Sequence, residues 1–98
     1  MIHFNLYFMN CYLILYDLRS PNIDYNTLYY AIKRLGSWGR LTETSWAVLS
    51  DKSHIDIRNY LSSFVGESDR LIIIRSGREA AWTRVLASDE WVRNNLVL

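Results

Sequence analysis

Apolar residues recur along this chain at two periods, and blocks of the two periods alternate. Tyr12-Leu13-Ile14-Leu15-Tyr16 runs without a polar break and stops at Asp17, with Leu18 beyond it. A short apolar run of this kind, bounded by turn residues, predicts a strand buried on both faces over 12–18. Arg19-Ser20-Pro21-Asn22 closes it, because Pro21 holds the residue before it out of the helical region. Asp17 is thereby placed at the carboxyl end of a central strand, beside a loop.

The period then lengthens. Tyr25, Leu28, Tyr29, Ile32 and Leu35 form one helical stripe. Asp24 is positioned as N-cap and Gly36 as C-cap, which predicts a helix over 25–35. Ser37-Trp38-Gly39 reads as a turn. From Arg40 to Leu49 the alternation has a period of two, with Trp46 to Leu49 as its buried end. The polar stretch Leu41-Thr42-Glu43-Thr44 suits a hairpin bend or bulge that splits the run in two. Ser53, with Asp56 three residues on, resembles a capping box, and Ile57, Tyr60, Leu61 and Phe64 give the next helix its apolar face up to Gly66. Leu71-Ile72-Ile73-Ile74 is a second buried run, predicting a strand over 70–75. Ala80-Ala81-Trp82 and Val85-Leu86 form an edge strand or a docking segment. Ser88 caps a terminal helix whose first turn holds Asp89 and Glu90 and whose Trp91 faces inward.

The order strand, helix, split strand, helix, strand, tail is the split βαβ pattern. It predicts an α+β, ferredoxin-like sandwich, with an antiparallel sheet carrying two helices on one face and a short C-terminal strand or helix tail. Residues 9–98 form the single domain and 1–8 an N-terminal extension, in which Phe4, Leu6 and Phe8 alternate as an added strand or a leader would. The second face of such a sheet is left open, and in a chain of this size a second copy is the expected cover.

Composition narrows the chemistry. The chain has 98 residues, half of them hydrophobic, and four Trp and seven Tyr are more rings than a small core holds comfortably, so some are expected at an interface. Eleven basic against ten acidic residues give a net charge of +1. That argues against a dedicated non-specific duplex binder, whose affinity comes from neutralised phosphates. Cys11 stands alone, which excludes an intrachain disulfide and a thiolate metal cluster, and it reads as a buried, inert thiol suited to a reducing cytoplasm. The apolar N-terminus lacks a basic start and a cleavage site, and Asn5 and Asn10 interrupt it, so neither a signal peptide nor a membrane helix is expected.

Several segments together resemble a known group. They are Tyr12 to Leu18, Asp24-Tyr25 with Leu28-Tyr29, Leu35-Gly36-Ser37-Trp38, Glu43-Thr44-Ser45-Trp46, Ser68-Asp69-Arg70-Leu71 and Gly77-Arg78-Glu79-Ala80-Ala81-Trp82. In this order they resemble the small bacterial proteins of the SinR family over about 9–96. These in turn are similar to the small CRISPR-associated adaptation nuclease, the dimeric, ferredoxin-like partner of the spacer integrase. The resemblance implies a homodimer that binds nucleic acid, RNA or DNA, with Asp17 as the metal-binding, catalytic aspartate. The tail departs from that pattern, being Trp-rich and ending in a capped helix where the nuclease has a strand that holds the integrase.

The residues themselves leave two readings of Asp17. Two copies facing each other across a dimer axis would place two carboxylates around one Mg²⁺ for phosphodiester hydrolysis, since Mg²⁺ takes one or two carboxylates plus water and phosphate. Alternatively, Asp17 caps the Arg19–Pro21 turn. Arg19 and Ser20 beside it, and Arg75 and Arg78 around the last strand, are the candidates for contact with nucleic acid. Trp82 and Trp46 are the candidates for the dimer interface. Glu43, Thr44 and Ser45 are secondary candidates. His3 and His54 have no second ligand at metal-binding spacing. Asp69-Arg70 and Arg78-Glu79 read as paired surface charges. Two functions from different classes follow: a metal-dependent endonuclease or its nucleic-acid-binding descendant, and a non-catalytic dimeric module that binds a partner protein or a small nucleotide.

Overall fold

The computed structural model describes residues 9–96, so the expected N-terminal extension lies outside the described residues. The elements are β1 (Asn10–Asp17), α1 (Asn26–Lys33), β2 (Trp38–Thr42), β3 (Ser45–Ser50), α2 (His54–Ser62), β4 (Arg70–Arg75) and α3 (Asp89–Asn95). The sheet order is β2-β3-β1-β4, and every neighbouring pair is antiparallel. This four-stranded open antiparallel sheet with three helices makes an α+β fold, compatible with a ferredoxin-like arrangement.

Alternation along β1 sorts the core. Tyr12, Ile14 and Tyr16 project to the face covered by α1 and α2, where they meet Leu28, Ile32, Trp46, Ile57 and Leu61. Cys11 and Leu13 project to the other face, and there the tail lies down. Val92 of α3 and Leu96 at its C-cap, with Trp82, Val85, Ala87 and Trp91, pack on Ala47, Leu41 and Leu49. The expectation of a face closed only by a second copy is therefore corrected: the chain covers part of it with its own C-terminus. The 80–87 segment docks without forming a helix or strand, held by Leu86 N–H to the Leu41 carbonyl (3.0 Å) and Ala87 N–H to the Arg40 carbonyl (2.8 Å). The Ser88 hydroxyl accepts from Trp91 N–H, and the Ser53 hydroxyl accepts from Asp56 N–H, so both serine caps are formed.

Two glycines have non-local roles. Gly39 lies inside β2, not in a turn, and the Trp91 ring fills the space where a Cβ would stand. Gly36 follows the end of α1 and passes against the Leu49 carbonyl, which a Cβ would strike. The backbone then joins β3 through Leu49 N–H to the Ser37 carbonyl at 2.8 Å. The helix before it is shorter than its apolar stripe predicts. Tyr25 occupies the N-cap position, while the Asp24 carboxylate accepts from Asn26 N–H at 3.0 Å.

β4 is an edge strand and is not buried on both faces. Ile73 packs under α2, whereas Ile72 and Ile74 are 54% and 48% exposed. They pair in register with Leu15 and Leu13, so they share the tail's face, but the tail does not reach them. Among the described residues no helix is long and apolar enough to cross a membrane.

Candidate functional site

The carboxyl end of β1 gathers the polar chemistry. Asp17 ends the strand, as expected, and pairs with Arg70 at the start of β4. Its Oδ2 accepts from Arg70 Nη1 at 2.6 Å and from Arg19 Nε at 3.0 Å. The Arg70 and Arg19 guanidinium groups hold the Asp17 carboxyl below its ordinary range. Both partners grip one oxygen; no protein donor meets Oδ1 among the described residues. Asp17 is thus an ion-paired surface carboxylate rather than a turn cap.

The turn-capping role belongs to Asp69, which sequence reading treated as a surface charge beside Arg70. Asp69 Oδ1 accepts from Arg19 N–H (2.5 Å), Ser20 N–H (3.1 Å) and the Tyr25 hydroxyl (2.7 Å), and Oδ2 accepts from Gly66 N–H (2.7 Å). Loss of solvent raises its pKa, but the Arg19 and Gly66 amides, with Tyr25 and Ser20, outweigh that and hold it well below the usual carboxylate range. One side chain thereby clamps the loop after β1 to the loop before β4 and fixes where Asp17 points. Gly66 also fits close against the Ser20 and Ile23 side chains. The only sequence-level signal for this clamp was polar clustering on both sides of two strands.

A cleft of about 570 Å³ opens beside Asp17, lined by Tyr16, Tyr25, Tyr29, Arg40, Glu43 and Thr44 among others. Tyr16 is buried at its floor: its hydroxyl accepts from Trp46 Nε1 (2.8 Å) and donates to the Glu43 carbonyl (3.0 Å). Burial pushes the Tyr16 phenol up from its ordinary value. Arg40 extends over the rings of Tyr29 (4.7 Å) and Trp46 (5.0 Å), with Nη2 donating to the Glu43 carbonyl at 2.9 Å. Sequence reading did not single out Arg40, although its alternation with Trp38 and Thr42 would have placed it on the face of α1 and α2.

The structure brings Asp17, Arg19, Ser20, Glu43 and Thr44 to one end of the sheet. It does not bring Arg75 and Arg78 there. Arg75 pairs with Tyr12 at the opposite end of β4, roughly 17 Å along the strand from Arg70, and Arg78 follows it in the exposed link to the tail. Trp46 is 1% exposed in the core, enclosed by its own chain and not offered to a partner. Trp82 is half-buried among the tail's own residues, with Nε1 donating to Asp89 at 3.1 Å. Burial pushes the Cys11 thiol up to about 11, as an inert core thiol requires.

Among the described residues no cluster of three or more His, Cys, Asp or Glu side chains could hold a metal ion. At this site Asp17 keeps one carboxylate oxygen free of protein donors among the described residues, and Glu43 lines the same cleft. No protein-family model matches the chain, and neither a curated protein nor a solved structure matches it.

Proposed function

We propose that this protein is a nucleic-acid-binding homodimer of ferredoxin-like type, in which two copies meet through the uncovered strip of the sheet and bring their Asp17 carboxylates together. The observation that carries this reading is the shared face of Asp17 and that strip. Leu15, Ile72 and Ile74 form an apolar band that the tail leaves bare, and Asp17 with Arg70 closes its end. Apolar strand edges of this kind invite pairing with another chain. Two Asp17 side chains would offer Mg²⁺ a pair of carboxylates, within the one or two that such sites use beside water and phosphate. Bound there, the ion would supply Lewis-acid activation of a phosphodiester. Arg19 and Arg70 already flank Asp17, and guanidinium forks match phosphate as well as carboxylate.

A second reading is favoured by the same ion pairs. With Oδ2 held by two arginines, Asp17 is neutralised in place, which suits a non-catalytic dimeric module that binds a partner protein or a small nucleotide.

Incubation of the wild type with single-stranded RNA and with duplex DNA, each with Mg²⁺, separates the two. Hydrolysis that disappears in Asp17→Ala, while the dimer persists, supports the nuclease. A wild type inactive on every substrate leaves the binding module, and unchanged cleavage in Asp17→Ala removes Asp17 from the chemistry.

A further inference from the structure

A second cleft lies on the helix side of the sheet, between the end of α1 and the edge strand β2. It is about 280 Å³ in volume, and Tyr29, Tyr30, Lys33, Arg40 and Trp46 line it together with Asn26. Arg40 pairs with Trp46, and Trp38 with Val48, so alternation points both β2 side chains under α1. Two cations converge on one indole here. Lys33 Nζ stands 6.0 Å and Arg40 Cζ 5.0 Å from the Trp46 ring centroid. The cleft has no carboxylate in its lining, and among the described residues neither cation forms a salt bridge.

The donors of Arg40 are largely unused. A guanidinium carries five N–H groups. Within the described residues one goes to the Glu43 carbonyl, and Nε is buried with no partner. Two like charges lining one partly desolvated cleft favour an anion within it. The rim supplies flat, exposed rings: Tyr30 is 69% and Trp38 40% exposed, with Lys33 Nζ 4.8 Å from the Trp38 centroid. Such rings stack planar bases without regard to sequence.

We propose that this cleft binds one nucleotide unit, its phosphate between Lys33 and Arg40 and its base on the exposed face of Tyr30. Lys33 provides a mobile point charge and Arg40 a fixed fork held by its two aromatic neighbours. The same chemistry is carried by a free mononucleotide and by one residue of a single-stranded nucleic acid. The site needs neither a metal nor Asp17, and it stands whether or not the dimer reading above holds.

Titration of the full chain with adenosine 5′-monophosphate, followed by amide and indole N–H resonances, tests it. The expected result is a saturable shift of Tyr30, Lys33, Arg40 and the Trp46 indole, absent with adenosine at equal concentration. Lys33→Glu should weaken binding about tenfold or more, the loss of one charge-assisted contact. Tyr30→Ala should weaken it less, and Asp17→Ala should leave it unchanged. Lys33 and Tyr30 are exposed, so both variants keep the core intact. A labelled oligothymidylate then distinguishes the source: competition with the monophosphate assigns the site to a strand, and its absence assigns it to the free nucleotide. No shift with either probe, shifts confined to other residues, or Lys33→Glu binding like the wild type would overturn the proposal.

Discussion

The two faces of the sheet are finished to different degrees. Under α1 and α2 the side chains of three strands and two helices interdigitate, and Trp46, Ile14, Leu28, Ile32, Ile57 and Leu61 are all essentially without solvent. On the other face a short helix and an irregular segment cover β2, β3 and half of β1, then stop before β4. One face is closed by elements with strong periodicity of their own. The other is closed by a tail held, beside its apolar packing and the Leu86 and Ala87 amides, by Trp91 against Gly39, Trp91 Nε1 to Ser37 Oγ at 3.1 Å, and Ser76 Oγ to the Leu96 carbonyl at 2.6 Å. The difference teaches where a partner can act. The helix side has polar clefts at the margins of a filled layer, and the tail side has bare apolar surface beside a carboxylate.

Substitution of one tryptophan on each face should sharpen that contrast. Trp46→Ala empties the helix-side core and leaves Tyr16 without its indole donor, so a loss of about 3–5 kcal/mol is expected in urea unfolding. Trp91→Ala removes one of the tail's attachments and should cost roughly 2 kcal/mol, with hydrogen exchange accelerated in 82–96 before β1 and β3. Equal losses at the two positions would break the proposed asymmetry.

A smaller effect concerns the end where the two faces meet. Asp69 and Asp17 both have carboxyls held below the ordinary range, but by different partners. A depressed folded-state pKa contributes stability that is complete above the unfolded value of about 3.9 and is lost as pH falls through the lower folded value. Asp69→Asn should therefore lower the thermal midpoint at pH 7, and the gap from wild type should narrow as the pH falls below about 4. Asp17→Asn, whose arginine partners are exposed side chains, should show a smaller gap at pH 7. A larger gap for Asp17 than for Asp69 would show that the clamp has been assigned to the wrong carboxylate.

How much of this was legible in the chain depended on whether the cause was local. The strand over 70–75, the hairpin split near 41–44 and the serine caps at 53 and 88 follow from period and capping chemistry, and the structure has them in those places. Trp38-Gly39 read as a turn because glycine weakens strands. The ring that requires Gly39 comes from Trp91, more than fifty residues later. Ile72 and Ile74 read as buried because an apolar run carries no mark of whether its strand is central or at an edge. Asp17 was found from its place after an apolar run, whereas Asp69 and Arg40 were not singled out, since their partners are assembled only by the sheet.

The most direct test of the account asks whether two copies meet at Asp17. An Asp17→Cys chain in a Cys11→Ala background carries one accessible thiol, which a short bis-maleimide can bridge only if its twin lies close. A covalent dimer is expected in high yield at low protein concentration, abolished when Ile72 and Ile74 are both changed to Asp. A species that stays monomeric after labelling, or one that crosslinks equally well with both isoleucines replaced, would contradict it.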